Sequence, residues 1–123
     1  MTATAAQVLG ARAEQLASEF LLARGLTIVE RNYRRRVGEI DLVAMDAGVL
    51  VIAEVRTRSS EAYGGAAASV DGRKQRRIIR AAEQLLQQHR AYAALPVRFD
   101  VLIVTAADSA TPEVLWLRHA FAA

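Results

Sequence analysis

Gly38-Glu39-Ile40-Asp41-Leu42-Val43, answered a short hairpin later by Ala53-Glu54-Val55-Arg56, decides how this chain is read. Carboxylates interrupt two strongly apolar runs. Acids seldom sit inside buried strands unless they are paired or bind a metal. Asp is also a poor strand former, so local propensity did not select Asp41.

The hairpin between the runs sets which residues meet. Asp46-Ala47-Gly48 is a tight-turn signal. A plain three-residue loop would pair Met45 with Val49 and turn Glu54 away from Asp41. A two-residue Ala47-Gly48 turn, or a bulge at Gly48, would oppose Asp41 to Glu54 and Glu39 to Arg56. The second register gathers the four polar groups on one face and leaves Ile40/Val55, Leu42/Ala53 and Ala44/Val51 on the other. A slip of one residue mixes both faces, so the pattern favours the second.

Working outward, residues 4–24 read as a helix, with Leu9, Ala13, Leu16 and Phe20 in a stripe widened by Ala17 and Leu21. Gly25 is placed to cap it, and Glu14 lies at the border of the stripe. Leu26 to Tyr33 is a first strand, followed by a turn at Val37-Gly38. Glu39 to Met45 and Val49 to Arg56 are the second and third. Thr57 to Ala68 is loop-like and long enough to act as a substrate-contacting flap. Asp71 caps a second helix running to about Arg90, with Ile78, Ile79, Ala82, Leu85 and Leu86 on its apolar face. Val97 to Val104 is a fourth strand, and a right-handed parallel crossover from the third is expected. Within it, Asp100 is expected to pair with Arg98 or another arginine. Val114 to Leu117 is a short last strand, with Trp116 and Phe121 packing there. His89 and His119 are isolated and read as surface histidines.

At 123 residues, 53% hydrophobic and 24% charged, the chain is expected to fold as one globular domain. It has no cysteine, which excludes disulfides, thiolate metal sites and a Cys nucleophile. The Met1-to-Ala6 stretch lacks the basic and apolar regions of a signal peptide, and no apolar run approaches the roughly 18 residues of a membrane span. A soluble, cytoplasmic protein without a membrane partner is expected.

The net charge of +3 understates how the charge is arranged. Arg31, Arg34, Arg35 and Arg36 form one cluster; Arg73, Lys74, Arg76, Arg77 and Arg80 form another. Of 16 basic residues Lys74 alone is lysine, a bias that a GC-rich genome would explain. The second cluster gathers in the first turns of a helix, against the usual helix electrostatics, which favours an anion-binding role. The clusters suggest a polyanion partner, nucleic acid first, although taken alone they read equally as a solvated, charged surface.

Two carboxylates converging across a strand pair make a hard-oxygen site suited to Mg²⁺ or Mn²⁺. Such an ion polarises a phosphodiester and lowers the pKa of a bound water. The rival reading is a structural pairing of these acids with arginine.

The order helix, three strands, helix, strand, with Asp in the second strand and Glu-x-basic in the third, resembles the PD-(D/E)xK nuclease superfamily. More closely, the chain resembles the YraN family of small bacterial proteins, similar to archaeal Holliday junction resolvases. The resemblance runs through Ala11-Arg12-Ala13-Glu14, Glu30-Arg31-Asn32-Tyr33, Gly38-Glu39-Ile40-Asp41-Leu42-Val43, Glu54-Val55-Arg56-Thr57-Arg58, Tyr63-Gly64, Val70-Asp71, Arg73-Lys74-Gln75 and Arg98-Phe99-Asp100-Val101. It implies an α/β, restriction-endonuclease-like core over about residues 8–104, a mixed sheet flanked by helices, with 105–123 as loop and edge strand.

It further implies that Asp41 and Glu54 ligate the metal, helped by the Val55 carbonyl. Glu14 falls where resolvase-like members carry a further acid. Arg56 falls at the lysine of the superfamily signature, and Gly72 replaces the usual proline. Lysine can shed its proton when buried and act as a base; arginine effectively cannot. Contacts to nucleic acid are expected from Arg34, Arg35, Arg36, Arg58, Arg73, Lys74, Gln75 and Arg77. The leading function is a metal-dependent endonuclease acting on DNA, branched or single-stranded forms included, with RNA as a further substrate class. The alternative is a nucleic-acid-binding module that does not cut, for which Arg56 is the argument. A weaker third is a protein-interaction adaptor in DNA uptake or repair. Resolvase-like relatives are dimers, and the stretch from Trp116 to Phe121 is the candidate interface here.

Overall fold

In a computed structural model, residues 2–58 and 70–123 are described. Most of the loop expected over 57–68, Tyr63-Gly64 included, lies outside the described residues. The described elements are α1 (Ala5–Ala23), β1 (Thr27–Arg35), β2 (Gly38–Asp46), β3 (Val49–Arg58), α2 (Gly72–Gln88), a 3₁₀ turn (Arg90–Tyr92), β4 (Val97–Thr105) and β5 (Glu113–Phe121). One sheet runs β1-β2-β3-β4-β5. Its pairs are antiparallel except β3 with β4, which run parallel as the connecting helix requires. Helices flank this mixed sheet, an arrangement compatible with the restriction-endonuclease-like core.

The helices start and stop for local reasons. Thr4 caps α1, its hydroxyl accepting from the Gln7 N–H while the Gln7 side chain accepts from the Thr4 N–H. Gly25, at φ 88°, lets the chain leave the helix. On α2, the Asp71 carboxylate accepts from the Lys74 N–H at 2.8 Å.

The core has two halves. α1 lays Ala13, Ala17 and Leu21 against Leu42, Ala44, Val51, Ala53, Leu102 and Val104. α2 lays Ile78, Ala81, Ala82 and Leu85 against Val43, Leu50, Ile52, Val101 and Ile103 on the other face.

The Ala47-Gly48 hairpin has the two-residue form, with φ of 49° and 86° at the two positions. It pairs Asp46 with Val49 and Leu42 with Ala53, the register that the polar pattern favours. Two expectations about the faces are corrected. Ile40 does not share a face with Leu42 and Ala44; it joins Tyr33 and Val43 in the α2-side core. Beside it, Asn32 of β1 sits at φ 53°, and this left-handed residue breaks the alternation of the hairpin. Nor does Glu39 oppose Arg56, because the β2–β3 ladder ends at Leu42 and Ala53. Glu39 pairs across the other strand instead, 3.8 Å from Arg34.

Gly38 is also corrected, from turn residue to first residue of β2. The turn is Arg36-Val37, and β1 continues through Arg35. A Cβ built on Gly38 would overlap the Arg77 carbonyl of α2, so glycine is there for a close approach of two backbones. Gly38→Ala should therefore destabilise the fold by about 1–3 kcal/mol through overpacking. Gly10→Ala, in open space on α1, should gain roughly 0.5–1 kcal/mol. Denaturant midpoints of both variants beside the parent check the pair.

β5 is longer than the short strand expected. It carries a bulge opposite Asp100, with His119 at φ 53°. Trp116 meets Phe20 edge-on and Phe121 stacks on Phe99, so both aromatic rings pack within the chain.

Candidate metal centre

The candidate site lies where β2 and β3 part. Beyond the Leu42–Ala53 pair, the Asp41 carboxylate takes the place of a backbone acceptor: the Val55 N–H donates to its Oδ2 at 2.8 Å. Asp41 is half-buried, held in the gap between the strands. Glu54 shares the face of Leu50 and Ile52 and is only 7% exposed. The charge and the hydrogen bonding of Asp41 both act on the Glu54 carboxyl.

Burial, then the Asp41 charge, then that shared hydrogen bond push the Glu54 carboxyl up to about 8. Lys74 and Arg56, in that order, pull it back. Glu14 approaches from α1. Burial and then the Asp41 charge raise its carboxyl, while a hydrogen bond from Asn32 and the charge of Arg34 favour its ionised form. Three elements thus aim acids at one place, although among the described residues no group of three His, Cys, Asp or Glu is close enough to hold a metal outright. Two carboxylates are the core of the site, and the crowding of their charge is what a divalent cation would relieve.

The basic residues divide. Lys74 Nζ lies 3.8 Å from Glu54 Oε1. Arg56 is half-buried and, among the described residues, makes no hydrogen bond or ion pair. Arg58 Nε donates to Thr105 Oγ1 at 3.0 Å. The Arg35 guanidinium lies over the Tyr33 ring and reaches Gln88, while Arg36, Arg73 and Arg77 are exposed. Gln75 spends its side-chain amide on the Val70 carbonyl at 2.7 Å, which ties down the chain entering α2. The close approach at Gly38 sets the Arg77 turn of α2 beside the Arg34–Arg36 turn, so basic clusters distant in sequence become neighbours.

Two partnerships were not named by the sequence reading. Asn32 had a signal in its strand-breaking residue type, but its bond to Glu14 depends on how α1 crosses β1. The Lys74–Glu54 contact had none, since nothing local relates the first turn of α2 to the middle of β3.

A family model, described as "Uncharacterised protein family UPF0102", matches residues 13–104. The chain belongs to the UPF0102 family. The UPF0102 protein of Methylococcus capsulatus is 47% identical over 114 residues, 93% of this chain and 90% of that protein. That of Alcanivorax borkumensis is 46% identical over 112 residues, covering 91% and 90%. That of Alkalilimnicola ehrlichii is 47% identical over 114 residues, covering 93% and 86%. The span matched as UPF0102 contains every acid of the site, the whole of α2 and all but the last residue of β4. Among the described residues of this UPF0102 chain, no helix is long and apolar enough to cross a membrane.

Proposed function

We propose that the chain is a metal-dependent endonuclease of DNA, with Asp41 and Glu54 holding Mg²⁺ or Mn²⁺ and the Val55 carbonyl as a further oxygen ligand. The observation that carries this reading is the convergence of two carboxylates, one half-buried and one buried, at the point where β2 and β3 separate. Structural acids in a sheet are ordinarily neutralised by a close arginine. Here the nearest cation to Glu54 stands at 3.8 Å, and among the described residues no cation pairs with Asp41, whose carboxylate accepts from the Val55 amide.

Oxygen ligands of this kind suit a hard cation, which when bound polarises a phosphodiester and favours ionisation of a nearby water. The chain's own residues supply the rest. The Val55 amide fixes the Asp41 carboxylate, Glu14 carries a further acceptor at the edge of the site, and Arg34, Arg36, Arg73 and Arg77 hold the phosphate backbone.

A second reading, a nucleic-acid-binding module without cleavage, is favoured by Arg56 at the position of the signature lysine. One experiment separates the two. Purified protein is incubated with Mg²⁺ or Mn²⁺ on branched, single-stranded and duplex DNA and on RNA, beside Asp41→Ala and Glu54→Ala. Cation-dependent cutting lost in both variants, with binding retained, supports the endonuclease. Salt-sensitive binding without cutting, indifferent to both changes, establishes the module. Absence of binding to any nucleic acid would sink both.

A further inference from the structure

We infer that Lys74 of α2, not Arg56 of β3, supplies the cation that contacts the scissile phosphate. The inference rests on the metal-site reading above. In a chain of 16 basic residues the one lysine is the residue that stands against Glu54. Its Nζ lies 3.8 Å from Glu54 Oε1, and its side chain is 34% exposed against 8% for Glu54. One end of the pair is therefore buried with the acids while the other opens to solvent, where a phosphate would arrive.

The placement is built rather than incidental. The Asp71 carboxylate holds the Lys74 backbone N–H at 2.8 Å, and Gln75 ties the entering chain through the Val70 carbonyl at 2.7 Å. One turn on, the Arg77 carbonyl abuts Gly38, which fixes α2 against the strand that carries Asp41. Lys74 is thus positioned relative to both acids, by contacts that leave its ammonium group the freedom to turn. Arg56, by contrast, makes no hydrogen bond or ion pair among the described residues, whereas Lys74 stands within ion-pair distance of Glu54.

The chemistry suits an ammonium. It is a compact point charge with three rotatable donors on a flexible stem, whereas a guanidinium is a rigid planar fork. In the metal-free chain Lys74 Nζ faces Glu54 Oε1 at 3.8 Å. A cation held by the two acids would leave the ammonium free to donate to a non-bridging oxygen of a bound phosphate. The ammonium stabilises the charge developing there and transfers no proton.

Two measurements test this, one of them independent of turnover. Because Lys74 is the sole lysine, ¹³C-lysine labelling gives one Cε signal. Saturable Mn²⁺ broadening of that signal together with the Val55 amide, both lost in Asp41→Asn, is the expected result. Broadening at Val55 without Lys74 overturns the Lys74 assignment alone. No saturable broadening at either removes the metal site and the assignment with it.

In single-turnover cleavage, Lys74→Gln should slow cutting by about 10²–10³-fold while DNA affinity changes by less than roughly threefold, as for one phosphate contact among many. Arg56→Gln should cost less, and adding Arg56→Lys to Lys74→Gln should recover part of the rate. A Lys74→Gln variant that cuts at the parent rate, or whose loss lies in affinity alone, would overturn the inference.

Discussion

Asp100→Ala should destabilise the protein by roughly 3–5 kcal/mol, the cost of leaving a buried charge without its partner. Asp100 is fully buried in β4, and three groups depend on its carboxylate. Arg98 donates to it from Nε at 2.9 Å and from Nη2 at 3.0 Å. Trp116 Nε1 and the His119 backbone N–H each donate at 2.9 Å. Arg98 is itself only 13% exposed on its side chain and is bound also by Asp46 at 3.0 Å. The hydrogen bond to Asp100, more than any other influence, strengthens its hold on its proton, against the cost of burial. Removing the carboxylate strands an indole N–H, a backbone N–H and most of a guanidinium. Asp46 remains, so Arg98 keeps one partner. The check is urea denaturation of Asp100→Ala, Arg98→Met and the double variant. The double variant should lose much less than the sum of the two single losses, because it removes the stranded charge as well as its partner. Additive losses would show that Asp100 and Arg98 do not act as a unit.

Cation affinity should climb about tenfold per pH unit well below pH 8 and about fiftyfold in all between pH 6 and pH 8, because one proton must leave for each ion bound. The physical cause is the Glu54 carboxyl, raised to about 8 by burial and by Asp41. At neutral pH Glu54 keeps its proton, and that proton must leave as the ion binds. Calorimetry of Mn²⁺ binding at pH 7 in buffers of differing ionisation enthalpy should find roughly one proton released. The linkage has a second consequence for the metal-free protein. Glu54 binds its proton more tightly folded than unfolded. The stability this contributes is full below the unfolded value of 4.5 and is lost as pH rises through about 8. The metal-free protein should therefore melt lower at pH 8 than at pH 5, with Mg²⁺ reversing the loss. Glu54→Gln should flatten both trends. Affinity that does not change with pH would mean that Glu54 takes no part in binding the ion.

Much of this was legible in the sequence, and the residues show where legibility stopped. The Ala47-Gly48 turn and the placement of Asp41 and Glu54 in apolar runs were enough to choose the hairpin register, since a slip would have exposed one apolar face. The helix stripes and the parallel pairing of β3 and β4 followed from periodicity and connectivity. What remained hidden depended on contacts across the fold. Ile40 turns to the face opposite Leu42, next to a left-handed Asn32 on a different strand. Gly38 has turn composition, yet it is needed because a helix some forty residues later crosses it. Arg98 was a foreseeable partner for Asp100, but Trp116 and His119 were not, because their bonds exist only through a bulge whose geometry the strand pattern does not encode.

The two outer strands carry a further consequence. A sheet edge is a row of unpaired amides and carbonyls that can recruit another chain into a fibre. β1 presents exposed Arg31, Arg34 and Arg35 along one edge, so an approaching strand meets repulsion from its own copy of those charges. β5 is deformed near its end by the bulge at His119, which Asp100 pins in place. Arginines along β1, Arg34 of the phosphate-binding set among them, and the carboxylate that pins the β5 bulge thus also guard a basic, alanine-rich protein against polymerising edge to edge.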